Sequence, residues 1–233
     1  MIKTPLPLLF GFLVLSTAFA GERGENSAFP HLKYFEIAND AIYVWYEPKS
    51  TELLIEKFPK QLPDPEAYVP ILETKLGDSA GTICRVEFSW GPSDDPHFRL
   101  LRKTSSDWME MGYISCDELT IPSSGSIYAW GWSNQMFAKS RKFAVKNGEV
   151  SEVEQPFYNV DMKTKTTKAV TLMSKPGGGE KVAALGADAQ VHVLINQGDH
   201  YLVSTPFGLT GWVEVKEGFQ QGSSLEGIYY RGD

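Results

Sequence analysis

The chain has 233 residues, 42% hydrophobic and 22% charged, an ordinary globular composition that is too apolar for a disordered protein. Its 22 lysines and arginines against 29 aspartates and glutamates give a net charge of −7. A surface that tracks nucleic-acid phosphates needs clustered Lys and Arg, and no such cluster interrupts the acidic balance, so no nucleic-acid partner is expected.

The first residues have the pattern of an export signal. Lys3 supplies a positive start, residues 6–15 an apolar core, and Ala18-Phe19-Ala20 a small-x-small cleavage pattern. The expectation is a signal peptide over 1–20, with cleavage after Ala20. The apolar run is too short for a comfortable membrane span and no other segment reaches that length, so the protein is not expected to span a membrane. No cysteine follows the cleavage point to take a lipid anchor.

Residues 21–33 are polar and read as a flexible lead. Residues 41–47 (AIYVWYE) are the first strong strand signal, rich in aromatic and β-branched side chains. Leu54 and Phe58 stand four apart, which predicts a short helix over 52–58 ended by Pro59. Pro59, Pro63, Pro65 and Pro70 then mark an extended crossing, and 71–76 is a short strand or a helical turn. From Gly81 onward the pattern is all-β, with strands expected over 82–90, 97–102, 108–116, 126–132, 140–146 and 150–158. Asn147-Gly148 is the sharpest turn signal, because both central positions of a type I′ hairpin need positive φ. Residues 161–168 are polar and read as a linker or an exposed edge. The first unit is therefore a β-rich domain over 34–161.

Cys84 and Cys116 are the only cysteines. Exported proteins mature where disulfides persist, and both residues sit in strand-like runs, so the expectation is a Cys84–Cys116 disulfide, with two buried thiols as the alternative. A catalytic thiol needs a nearby base, and the immediate neighbours supply no His.

A second unit is expected over 165–233. Its short strands (169–173, 181–185, 190–196, 200–205 and 211–215) have the spacing of a small barrel, and the partly apolar tail 222–233 reads as a last strand. Thr171-Leu172-Met173-Ser174-Lys175-Pro176-Gly177-Gly178, then His200-Tyr201-Leu202-Val203 and Gly208-Leu209-Thr210-Gly211-Trp212-Val213, resemble the bacterial SH3 (SH3b) domain family over 168–216. The resemblance implies an SH3-like barrel that recognises a peptide or a peptidoglycan fragment. Tyr201, Phe207 and Trp212 lie where such barrels often offer a groove.

The sequence lacks a Gly-x-Ser-x-Gly elbow, a His-Glu-x-x-His helix, a Cys-x-x-Cys pair and a phosphate-binding Gly-rich loop. Neither a cofactor nor a metal site is expected. Asp94, Asp95 and His97 cluster in one loop, and Asp117 follows Cys116. These groups would have to converge in one pocket to make a hydrolase. The simpler reading is solvated turns and strand ends. Tyr128, Trp130 and Trp132, spaced by two, project from one face of a strand. The stripe is read as the core face of a sheet, because aromatics dominate cores; if it is exposed, it becomes the leading binding site.

These features lead to one expectation. The protein is all-β, with a disulfide-tied N-terminal β domain containing a short helix, followed by an SH3-like barrel. It is an exported, non-enzymatic binding protein of the cell envelope, with peptidoglycan or a periplasmic protein as partner. The alternatives are an inhibitor of a secreted hydrolase and an unrecognised hydrolase. The candidate binding residues are Tyr128, Trp130, Trp132, Tyr201, Phe207 and Trp212.

Overall fold

The computed structural model describes residues 26–38, 41–60, 62, 64, 66–76, 82–91, 93, 95–216 and 223–232. The expected signal peptide lies outside them, as does Asp94. The described residues form strands and turns with no helix, and so contain no helix long and apolar enough to cross a membrane.

The first unit is two sheets around one core. One sheet has the order β1 (Lys33–Ala38), β2 (Ile42–Tyr46), β8 (Glu118–Ile121), β9 (Ser126–Gly131), β10 (Lys139–Lys146), β11 (Glu149–Glu152). Its pairings are antiparallel except β2 with β8, which is parallel. Parallel neighbours need a long crossover. Here the crossover is the whole second sheet, an antiparallel meander of β3 (Thr51–Leu53), β4 (Val69–Lys75), β5 (Ile83–Ser89), β6 (His97–Lys103) and β7 (Trp108–Ser115). Alternation directs the packing. Cys84, Val86 and Phe88 of β5 and Phe98 and Leu100 of β6 are fully buried, and they share a core with Val44 of β2, Leu119 and Ile121 of β8 and Ile127 of β9. Asn147 and Gly148 adopt φ of 54° and 87° in the β10–β11 hairpin, where Lys146 pairs Glu149, as the turn signal requires.

The second unit is a six-stranded sheet in the order β12 (Tyr158–Lys165), β15 (Gln190–Gln197), β16 (His200–Ser204), β17 (Thr210–Glu214), β13 (Val170–Lys175), β14 (Gly178–Leu185). It does not close into a barrel. Its core holds Leu172, Val193, Tyr201, Val203, Val213, Leu225 and Ile228. Gly211 is fixed by close approach, since a Cβ there would lie 2.8 Å from that of Leu172. Met136 and Phe137, from the β9–β10 connection of the first unit, belong to this second core.

Three sequence expectations are corrected here, and one open alternative is decided. The segment expected as a helix over 52–58 is β3 followed by bends, because Thr51–Leu53 pairs with β4 and the edge of a sheet outweighs one i,i+4 contact. The polar stretch 161–168, read as a linker or an exposed edge, takes the second form: it carries the end of β12, the edge strand of its sheet, paired with β15. The tail forms single bridges, Thr166 to Leu225 and Gln135 to Arg231, rather than a strand. Cys84 and Cys116 are unpaired and fully buried. Register explains this: Cys84 lies opposite Arg102, which lies opposite Met109, so Cys116 is seven residues further along β7 and beyond it. At about 3.3 Å per residue that is roughly 20 Å, far outside disulfide reach. Burial pushes the Cys84 thiol up to about 12 and raises that of Cys116 further. Both are inert thiols at neutral pH.

Candidate functional site

The outward face of the six-stranded sheet of the first unit is ordered in rows by its register. One row runs Glu36, Tyr43, Glu118, Trp130, Ser140 across β1, β2, β8, β9 and β10. The next runs Tyr34, Trp45, Thr120, Tyr128, Lys142 across the same strands. Neighbours within a row have Cβ atoms about 5 Å apart, so each row is a line of touching side chains.

Ile127 and Ala129 are the buried residues of β9, and Tyr128 and Trp130 face outward, with Trp130 45% exposed. The expected core role of the stripe is thereby reversed. The sheets already hold Phe88, Phe98 and Phe143 between them, so small side chains suffice on the inner face of β9. Gly131 ends the strand at φ 152°, and a Cβ there would lie 2.5 Å from the Asp117 nitrogen. Asp117 therefore approaches closely, and its carboxylate accepts hydrogen bonds from the Trp132 amide at 3.0 Å and the Ser133 hydroxyl at 3.2 Å.

Over these rows lies a groove of about 720 Å³, within the usual range for small-molecule sites. Tyr43, Glu118, Thr120, Tyr128 and Trp130 line its floor. Residues 26–29 form one wall. The Asn26 side chain accepts hydrogen bonds from the amides of Ala28 and Phe29, and the Phe29 ring packs on Tyr128 at 5.4 Å. The described part of the expected flexible lead is thus folded against the sheet. Val153 and Gln155, beyond β11, line the groove as well.

Glu118 is the carboxylate in the floor. Burial raises its carboxyl above the ordinary value; the Tyr43 hydroxyl, donating a hydrogen bond to it, opposes that rise, and Trp45 does so as well. Trp45 is 8% exposed, and its indole Nε1 is buried without a hydrogen-bond partner. Its effect on Glu118 is that of a nearby N–H dipole rather than a completed bond. Among the described residues no Lys or Arg makes an ion pair with Glu118. Arg141 also borders the groove, but its guanidinium turns inward, donating to the Ser115 carbonyl and lying 3.8 Å from Glu152.

No protein-family model, curated protein or solved structure matches the chain.

The other sequence candidates are dispersed. Trp132 leaves the groove, donating through Nε1 to the Tyr229 carbonyl at 3.2 Å and packing on the Tyr229 ring at 4.9 Å. Tyr201 is 1% exposed and packs on Phe137 in the second core, so it offers no surface to a ligand. Trp212 pairs with Leu202, one residue out of phase with Tyr201, and so faces the opposite side of the sheet. Phe207 is 68% exposed in the β16–β17 turn. The three residues of the resemblance therefore do not share a groove. His97 uses both ring nitrogens, Nε2 with the Tyr68 hydroxyl at 2.8 Å and Nδ1 with the Asp95 carbonyl at 2.9 Å. Among the described residues no group of three His, Cys, Asp or Glu could hold a metal ion.

The sequence does not single out Tyr43, Glu118 and Phe29 as site residues, although alternation is present for two of them. In 42–46 the apolar Ile42, Val44 and Tyr46 alternate with Tyr43 and Trp45, and in 118–121 Leu119 and Ile121 alternate with Glu118 and Thr120. The Asp-Glu pair conceals the second pattern by suggesting a strand end.

Proposed function

We propose that the protein is an exported, non-enzymatic binding protein of the bacterial cell envelope that takes a peptidoglycan fragment in the outer groove of its first unit. The observation that carries this reading is the set of rings, Tyr43, Tyr128 and Trp130, on three adjacent strands of one outward face. Flat rings with one face open stack on the apolar face of a sugar, and Tyr and Trp tolerate the mixed wet and apolar setting this requires. Asn26, Ser140 and Gln155 supply the polar groups at the border that a sugar's hydroxyl and amide groups need. The signal pattern at 1–20 and the SH3b resemblance over 168–216 support a role at the envelope by analogy alone. In this reading the second unit is an SH3-related module that supports the first rather than the one that binds.

The test is retention of the mature chain on isolated peptidoglycan. Retention that falls at least tenfold in Trp130→Ala and Tyr128→Ala, with folding intact by circular dichroism, is the expected result. Undiminished retention in both variants moves the site away from the groove. Capture of one periplasmic protein with no retention on the wall replaces the reading with an inhibitor or adaptor role.

A further inference from the structure

The groove holds one feature that sugar stacking does not require. Glu118 stands in a row directly between Tyr43 and Trp130, with Glu36 on the far side of Tyr43. On the first unit's other sheet the two least exposed carboxylates each hold a guanidinium: Glu73 accepts from Arg85 at 2.6 Å and Glu87 from Arg99 at 2.5 Å. Glu118 makes no such ion pair among the described residues. Its carboxylate accepts from the Tyr43 hydroxyl and keeps further acceptor capacity; it lies between aromatic rings, whose faces carry the negative end of a quadrupole and so attract a cation as the carboxylate does.

We propose that the groove recognises its ligand through a primary ammonium group, seated against the Glu118 carboxylate and flanked by the Tyr43 and Trp130 rings. This rests on the groove being the ligand site and names the chemical group that selects the ligand. The geometry is that of a cation pocket with one wall missing: a carboxylate for the charge, rings on both sides, and an open front. A compact ammonium with three donors can use Glu118 and the border oxygens together. Lys142 sits in the adjacent row, two strands away. Its charge meets the ligand's far side rather than Glu118, which favours a ligand whose amine is followed by a neutral or acidic group. In a wall polymer such an amine has two sources, an amino sugar that lacks its acetyl group or the side-chain amine of a diamino acid in the peptide stem.

The raised carboxyl of Glu118 agrees with this, since burial disfavours its charge and a cation beside it favours the charge.

The experiment is a titration of the mature chain, followed by tryptophan fluorescence and by calorimetry, with three probes: a glucosamine trisaccharide, its N-acetylated counterpart, and Nα-acetyl-lysine amide. The pH is held near 6, where ordinary amines are protonated. The expected result is that the free-amine trisaccharide or the lysine amide binds at least tenfold more tightly than the acetylated trisaccharide. Glu118→Gln abolishes that preference, and Glu118→Asp retains part of it. Which amine probe wins identifies the source. Equal binding of the free and acetylated sugars, or a preference that survives Glu118→Gln, overturns the ammonium assignment while the aromatic groove stands. If none of the probes binds, the assignment is likewise overturned, and retention on whole peptidoglycan with the Trp130→Ala control then decides the groove separately.

Discussion

The two sheets of the first unit present outward faces built from the same kinds of residue, and they use them differently. On the five-stranded sheet two acids hold arginines, and each of those arginines lies over a ring. Glu73 holds Arg85, which lies 4.0 Å over Trp108; Glu87 holds Arg99, which lies 3.7 Å over Tyr68. On the six-stranded sheet Glu118 has rings on either side and no arginine among the described residues. The first face completes its interactions internally and acts as structure. On the second, Glu118 accepts from the Tyr43 hydroxyl but has no cation beside it among the described residues. Residue type alone does not separate scaffold from site; the missing counter-charge does.

The largest expected effect comes from breaking the closed ladder. Glu87 is 6% exposed, so Glu87→Ala leaves the Arg99 guanidinium without its acid and should cost about 3 kcal/mol in urea unfolding. A loss below about 1 kcal/mol would mean that the ladder behaves as an ordinary surface pair. Trp108→Ala removes the ring under Arg85 and should cost about 1–2 kcal/mol by the same measurement, from lost area and lost cation–π contact.

Glu118→Gln should act in the opposite direction. Its folded carboxyl is raised above the ordinary value of 4.5 by burial, so the folded state disfavours the charge. That disadvantage is absent below the unfolded value and grows as pH rises through the folded one. The variant should therefore melt a few degrees higher than the wild type near pH 7, and the difference should vanish on acidification below about 4.5. A lower melting temperature at neutral pH would show that Glu118 is a structural residue after all. Trp130→Ala completes the contrast: its stability change should stay within about 0.5 kcal/mol, because the ring is largely outside the core, while its effect on wall retention should be the largest of the set.

Much of the strand pattern is legible in the sequence because period-two alternation is local. The runs around Val86, Phe98 and Val203 and the Asn147-Gly148 turn are found where local chemistry places them. What escapes is non-local. Leu54 and Phe58 have helical spacing, but Thr51–Leu53 joins β4. Whether Tyr128 and Trp130 or Ile127 and Ala129 face inward depends on rings contributed by other strands. The distance between Cys84 and Cys116 depends on the register of three strands, which no property of either cysteine encodes. The groove follows the same rule. Its rings are visible in the sequence one strand at a time, but its rows exist only after β2 and β8 meet in parallel across the inserted sheet.

The β9–β10 connection also governs how the molecule comes apart. It delivers Met136 and Phe137 into the second core, and its backbone meets the tail through Asn134 to Arg231, Arg231 to Gln135 and Tyr229 to Met136 hydrogen bonds. A second unit excised at residue 158 would lose two apolar side chains from its interior, about 2 kcal/mol each in burial alone, together with the strand-like partner of its own tail. The two cores are therefore not separable modules. Heated, the whole chain should unfold in a single cooperative calorimetric transition, so that ligand bound in the outer groove raises the melting point of the second unit without touching it.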